Sequence, residues 1–140
     1  MKQILLMIAV VMGQSVLSAD KKPLIADPIV EKAVRKSLKK PTGELTKADL
    51  AKVTQLFLVG TQITDTGLKD VAKLQQLTSL GLENTKITDA GLKELAKMKK
   101  VHTIRLYDTQ VTKAGVAELQ KALPKCKIAV EKSKRPQSSP

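Results

Sequence analysis

Residues able to do covalent chemistry are sparse in this 140-residue chain. There is one histidine, His102, and one cysteine, Cys126. A Ser-His-Asp or Cys-His set would have to be built on that single ring, and no partner is spaced to join it. His102 therefore reads as a surface residue and Cys126 as a lone buried thiol. One cysteine excludes an intrachain disulfide and a cysteine-based zinc site. Asp65 and Asp89 are a recurring pair of carboxylates, but nothing else in the chain supports a two-carboxylate hydrolase. No glycine-rich phosphate loop occurs. The expectation is a chain without enzymatic activity, cofactor or metal.

The elements that position these residues follow from a repeat. The stretch 53–67, VTQLFLVGTQITDTG, returns 24 residues later as LTSLGLENTKITDAG and again as VHTIRLYDTQVTKAG. The phase holds without insertion or deletion. Thirteen of the twenty-four positions in 50–73 are identical in 74–97. Leu56 and Leu58, Leu80 and Leu82, and Ile104 and Leu106 alternate with other residues, which predicts short strands over 55–58, 79–82 and 103–106. Continuing the phase puts Ile128 and Val130 on the same columns and predicts a closing strand over 127–130. Ile63, Ile87 and Val111 form a further inward column. Leu68, Leu92 and Val116, with Val71, Leu95 and Leu119, fall at helical spacing on a helix over about 65–73 and its equivalents.

Thr64, Thr88 and Thr112 are the expected N-caps of these helices. Asp65 and Asp89 then lie in the first turn, where a carboxylate suits the helix dipole. Lys113 breaks that pattern, so the third helix is expected to be the least well capped. Gly67, Gly91 and Gly115 cost about 1 kcal/mol each relative to alanine in a helix. Their recurrence points to close approach of backbones. Thr61, Thr85 and Thr109 are expected to bond the loop backbone of the next coil.

A period of this length with LxxLxL opening each unit is the mark of a leucine-rich repeat. The units resemble the cysteine-containing type of leucine-rich repeat, LxxLxLxxCxxITDxGLxxL, with Thr61, Thr85 and Thr109 where that type often carries cysteine. The resemblance is close over 50–130, weaker over 24–49, and of a bacterial exported kind. It implies an α/β fold: a right-handed solenoid with short parallel strands on the concave side and helices on the convex side. The repeats would be 50–73, 74–97 and 98–121, with a terminal strand in 122–130.

Before the repeats, Asp27-Pro28 reads as N-cap and first residue of a helix over 28–40. A second short helix is expected after Thr46, with Asp49 completing a capping box. Together 20–49 form a helical cap that closes the open end of a solenoid. Residues 1–19, MKQILLMIAVVMGQSVLSA, have the layout of a secretory signal peptide, with cleavage after Ser18 or Ala19. The expected location is secreted, periplasmic or otherwise outside the cytoplasm. Residues 131–140, EKSKRPQSSP, read as a disordered basic tail.

Function is then sought on the outward strand positions. In register these are Gln55, Ser79, Thr103 and Lys127; Phe57, Gly81, Arg105 and Ala129; and Val59, Glu83, Tyr107 and Glu131. The one phenylalanine and the one tyrosine of the chain both fall there. Aromatic residues and arginine dominate binding hot spots. Gln55, Phe57, Val59, Glu83, Arg105 and Tyr107 are therefore the candidate surface for a protein or peptide partner, with Gly81 leaving a shallow dip. The packing alternative sets Phe57 against the N-terminal helix and Tyr107 against a neighbouring strand. A formal charge of +12 opens a second class, a structural protein held by its basic surface to an anionic polymer or membrane. Most lysines, however, alternate with acids on the helices as a solvated convex face. Without interleaved aromatics, specific nucleic-acid binding is not expected. The chain is expected to act as a monomer.

Overall fold

Helix α1 (Pro28–Leu38) starts where Asp27 predicts it, with the Asp27 carboxylate accepting from the backbone of Ile29 and Val30 and Pro28 in the first turn. It stops two residues earlier than the helical pattern suggests. Lys39 turns left-handed at φ 55°, and Lys39 and Lys40 donate back to the carbonyls of Lys36 and Arg35. That is a Schellman ending, which satisfies carbonyls the last turn would leave bare. Helix α2 (Lys47–Ala51) carries the full Thr46–Asp49 capping box. Lys40 also bonds Asp49 at 2.7 Å. That bond, with the Thr46 backbone, holds the Asp49 carboxyl down to about 2. Val30 and Val34 are buried, and α1 lies against β1 (Gln55–Phe57) and α3 (Asp65–Val71).

The computed structural model describes residues 23–130. The expected leader 1–19, the expected tail 131–140 and Glu131 lie outside the described residues. After β1 and α3 come β2 (Ser79–Gly81), α4 (Asp89–Leu95), β3 (Thr103–Arg105), α5 (Lys113–Ala122) and β4 (Lys127–Ala129). The strands pair in sequence order, all parallel, and the register is the repeat phase itself. Leu56 faces Leu80, Leu80 faces Ile104 and Ile104 faces Ile128. Each strand is one residue shorter than the alternation predicts. Leu58, Leu82 and Leu106 lie just past the strand ends but still donate to Gly81, Arg105 and Ala129 of the next coil at 2.8, 2.9 and 2.7 Å.

Between the sheet and the helices sits an aliphatic core. Leu56, Leu58, Ile63, Leu68, Val71, Leu80, Leu82, Ile87, Leu95, Ile104 and Leu106 are fully or almost fully buried. Burying a leucine of this kind is worth roughly 1.5–3 kcal/mol. Val111 and Val116 occupy the same columns in the last coil but are only partly buried.

Three expectations about the polar positions are corrected by the structure. First, the threonine hydroxyls do not reach the next coil. Thr61, Thr85 and Thr109 donate to Leu58, Leu82 and Leu106 of their own coil at 2.7, 2.8 and 2.8 Å. Each closes the turn that leaves its own strand, and the carbonyl three residues back is simply nearer.

Second, the third helix is not the poorly capped one. Thr88 caps α4 and Thr112 caps α5, whereas Thr64 makes no side-chain cap bond to α3. The cause is the preceding coil. Asp65 Oδ1 accepts from the Thr88 backbone N–H at 2.8 Å, and its Oδ2 accepts from the Thr88 hydroxyl at 2.5 Å. Asp89 holds Thr112 in the same two-handed way. So each aspartate fixes the cap of the following coil, and Thr112 caps α5 although Lys113 stands where the other helices have aspartate.

Third, Gly91 and Gly115 make room for these carboxylates rather than for backbone, and Gly67 for the Ile63 and Asp27 side chains. A Cβ on Gly91 would lie 2.5 Å from Asp65 Oδ1, and one on Gly115 would collide with the Asp89 carboxylate.

Candidate functional site

The outward strand positions form a face whose members differ sharply in exposure. Phe57 is 49% exposed and Val59 54% exposed. Gln55 and Lys127 are open, while Ser79, Thr103, Arg105 and Tyr107 are half-buried. Glu83 is more covered, with 15% of its side chain accessible. The residues are brought to one face because three coils in register place positions 24 apart side by side.

Arg105 organises the centre. From β3 it reaches across β2 and sets its guanidinium carbon 5.4 Å from the centre of the Phe57 ring on β1. Its Nε lies 3.3 Å from Glu83 Oε1. A cation over an aromatic face is favourable by about 0.5–1 kcal/mol at such exposure. Phe57, Glu83 and Arg105 thus meet across the strand face.

This closes the expected dip. Gly81 is buried, because Phe57 and Glu83 lean over it. A Cβ at Gly81 would lie 2.8 Å from Phe57 Cδ1 and 2.8 Å from Glu83 Oε2. Glycine here lets the three side chains meet across the middle strand. One acceptor is left over: Glu83 Oε2 is buried and has no hydrogen-bond partner among the described residues. Sequence columns name all six candidates, but not that three of them interlock. An arginine two strands from a phenylalanine with glycine between them is the signal that could have shown it.

The residues with chemical potential are placed as plain structure. His102 is exposed, and its backbone joins the coil-to-coil ladder through Thr78 and Lys127. Cys126 is buried, and that burial pushes its thiol pKa up, away from the reactive thiolate. No three His, Cys, Asp or Glu side chains converge as a metal site among the described residues.

Asp70 is the buried carboxylate. Burial raises its pKa, but Lys73 at 2.7 Å and the backbone N–H groups of Asp27 and Ala26 outweigh this and leave it below the usual value. It ties the segment before α1 to α3. Some lysines of the repeats are matched, Lys73 with Asp70, Lys97 with Glu94, Lys121 with Glu118, and Lys100 with Gln76, while Lys69, Lys93 and Lys113 make no ion pair among the described residues. No helix among the described residues is long and apolar enough to cross a membrane.

No protein-family model matches this sequence. No curated protein matches it either. Solved structures do. Internalin C2 from Listeria monocytogenes is similar over 76% of this chain and 54% of its own, with 22% identity and a TM-score of 0.54. An internalin (inlF) from the same organism is similar over 77% of this chain and 37% of its own, with 16% identity and a TM-score of 0.52. The chain therefore spans about half the length of the first and little more than a third of the second. At these identities the likeness is one of fold. With four parallel strands stacked in repeat register and helices joining them, the chain has the α/β leucine-rich repeat solenoid fold.

Proposed function

We propose that this chain is an exported, non-enzymatic binding module that holds a protein or peptide on its strand face. Its repeats follow the cysteine-containing pattern with threonine in the cysteine column. The observation that carries the reading is the half-exposed Phe57 and Val59 beside an arginine already stacked and oriented on the Phe57 ring. A side chain fixed before binding loses little entropy when the partner arrives. Phe57 and Arg105 are the anchors, Tyr107, Val59 and Gln55 flank them, and Glu83 positions Arg105.

Four strands at about 4.8 Å give a platform roughly 15–20 Å wide. An interface of that width is smaller than the standard protein–protein size, so micromolar affinity is expected. The export part of the proposal rests on residues 1–19 and is tested by N-terminal sequencing of extracytoplasmic material. Retention of Met1 there would overturn cleavage and favour an uncleaved anchor, and absence of the chain from that material would overturn export.

The binding part is tested by selecting a peptide from a display library on the full chain and measuring it by calorimetry. Phe57→Ala and Arg105→Ala are each expected to weaken binding by about 30-fold, the cost of truncating a hot spot. Weak salt dependence is expected as well, because the contacts are short-ranged. Binding that survives both substitutions would sink the proposal.

A further inference from the structure

Among the described residues, positive charge is densest at α1. The repeats pair Lys73 with Asp70, Lys97 with Glu94 and Lys121 with Glu118, and leave Lys69, Lys93 and Lys113 without an ion pair. Helix α1 and the residues after it carry Lys32, Arg35, Lys36, Lys39 and Lys40 against the single acid Glu31. Glu31 is taken by Arg35 at 2.8 Å, and Lys40 by Asp49 at 2.7 Å. Lys32, Lys36 and Lys39 are exposed and make no ion pair or side-chain hydrogen bond among the described residues.

Lys39 sits at the left-handed end of the helix, and Lys32 and Lys36, one turn apart within it, form a short stripe. It faces away from the core, which α1 meets through Val30 and Val34. A groove of about 510 Å³ runs along it, lined by the same lysines with Arg35, Glu31 and the two prolines Pro28 and Pro41.

We infer that this stripe is a binding site for a linear, phosphate-bearing polymer, separate from the strand face. Two observations choose the ligand. The free cations are all lysines, compact point charges that take up phosphate oxygens without a fixed geometry. The one guanidinium nearby is occupied, Nε by Glu31 and Nη1 by the Lys40 carbonyl, so the bidentate fork that recognises a carboxylate is not free. The form of the site gives a bilayer no apolar anchor. The apolar residues of α1, Ile29, Val30, Ala33, Val34 and Leu38, are packed on the core, and none is left beside the stripe to enter the acyl region.

The test uses the full chain and inorganic polyphosphate of defined length. The triple variant Lys32→Gln/Lys36→Gln/Lys39→Gln is expected to lose at least ~10-fold in affinity and to flatten the salt dependence by about one unit of log–log slope per lysine. All three side chains are exposed, and circular dichroism confirms that the fold is kept. Lys93→Gln/Lys97→Gln/Lys100→Gln changes net charge by the same amount on the repeats and is expected to leave affinity within about two-fold. Phe57→Ala is expected to leave polyphosphate binding unchanged, which keeps this inference separable from the strand-face reading.

Equal losses in the two lysine triples would show a diffuse charge effect and overturn the site. No loss in the α1 triple would overturn it too. Matching affinity for polyglutamate would overturn the choice of phosphate. Matching affinity for phosphatidylglycerol vesicles would replace the polymer with a membrane surface.

Discussion

The middle coil and the last coil carry the same columns and bury the strand columns alike, but the columns beyond the strand to different depths. Leu80 and Leu82 in the middle coil and Ile104 and Leu106 in the last are all inaccessible or nearly so. Ile87 and Leu92 are buried with a coil on each side, whereas their equivalents Val111 and Val116 are only partly buried and Val130, past β4, is 37% exposed, because the described chain adds only β4 beyond the last coil. The polar positions differ in the same direction. Asp65 and Asp89 each bond the threonine of a following coil, whereas the last coil has Lys113 in that column and no following threonine to hold. A repeat position has no fixed energetic worth. Its contribution depends on whether a neighbour stands 24 residues on to meet it, as expected of a solenoid whose stability is summed over units and the interfaces between them.

The largest effect that sharpens this comparison is a truncation in each coil. Leu80→Ala is expected to cost about 2–5 kcal/mol through lost burial and a cavity. Val116→Ala removes less, from a site half open to water, and is expected to cost about 1 kcal/mol or less. Denaturant melts of the two variants measure the gap. Equal losses would break the claim that burial depth separates the coils.

Acid gives a smaller and graded effect. Asp70 ties the N-terminal segment to α3, and Asp89 ties α4 to α5. Both have folded pKa values below the ordinary one. For Asp70, burial acts upward but Lys73 and two backbone N–H groups prevail; for Asp89 the Thr112 hydroxyl and N–H are the cause. A group lowered on folding contributes stability above its unfolded pKa and loses it as pH falls through the folded one. Stability is therefore expected to be level from neutral pH to about 4–5 and to drop below that. Asp70→Asn should lower stability at pH 7 and flatten the acid limb. An unchanged limb in both Asp70→Asn and Asp89→Asn, read by thermal melts across pH, would show that neither tie responds to charge.

The smallest effect is expected on the strand face. Thr103→Ala, outward on β3 and half-buried, should cost well under 1 kcal/mol. A loss as large as that of Leu80→Ala would mean that the face is structural, and that the contrast between inward and outward columns is void.

Much of this molecule is legible in its sequence. The inward columns, the strand positions and the partner of every strand residue all follow from two facts of sequence. One is alternation, which assigns side chains to opposite faces of a strand. The other is an unbroken phase, which leaves a parallel sheet one register to adopt. Local chemistry fixed the helix starts at Asp27 and Thr46 in the same way, since a cap bond spans only two or three residues.

The tertiary structure decided what lies across coils. Asp65 reaches Thr88 instead of serving its own helix, and Arg105 folds over Gly81 onto Phe57. Lys39 turns α1 off in a left-handed step. Each is a choice among torsions that the phase leaves free. It is settled by which acceptor, ring or backbone group a neighbouring coil or turn brings within reach, and that is set only when the coils stack.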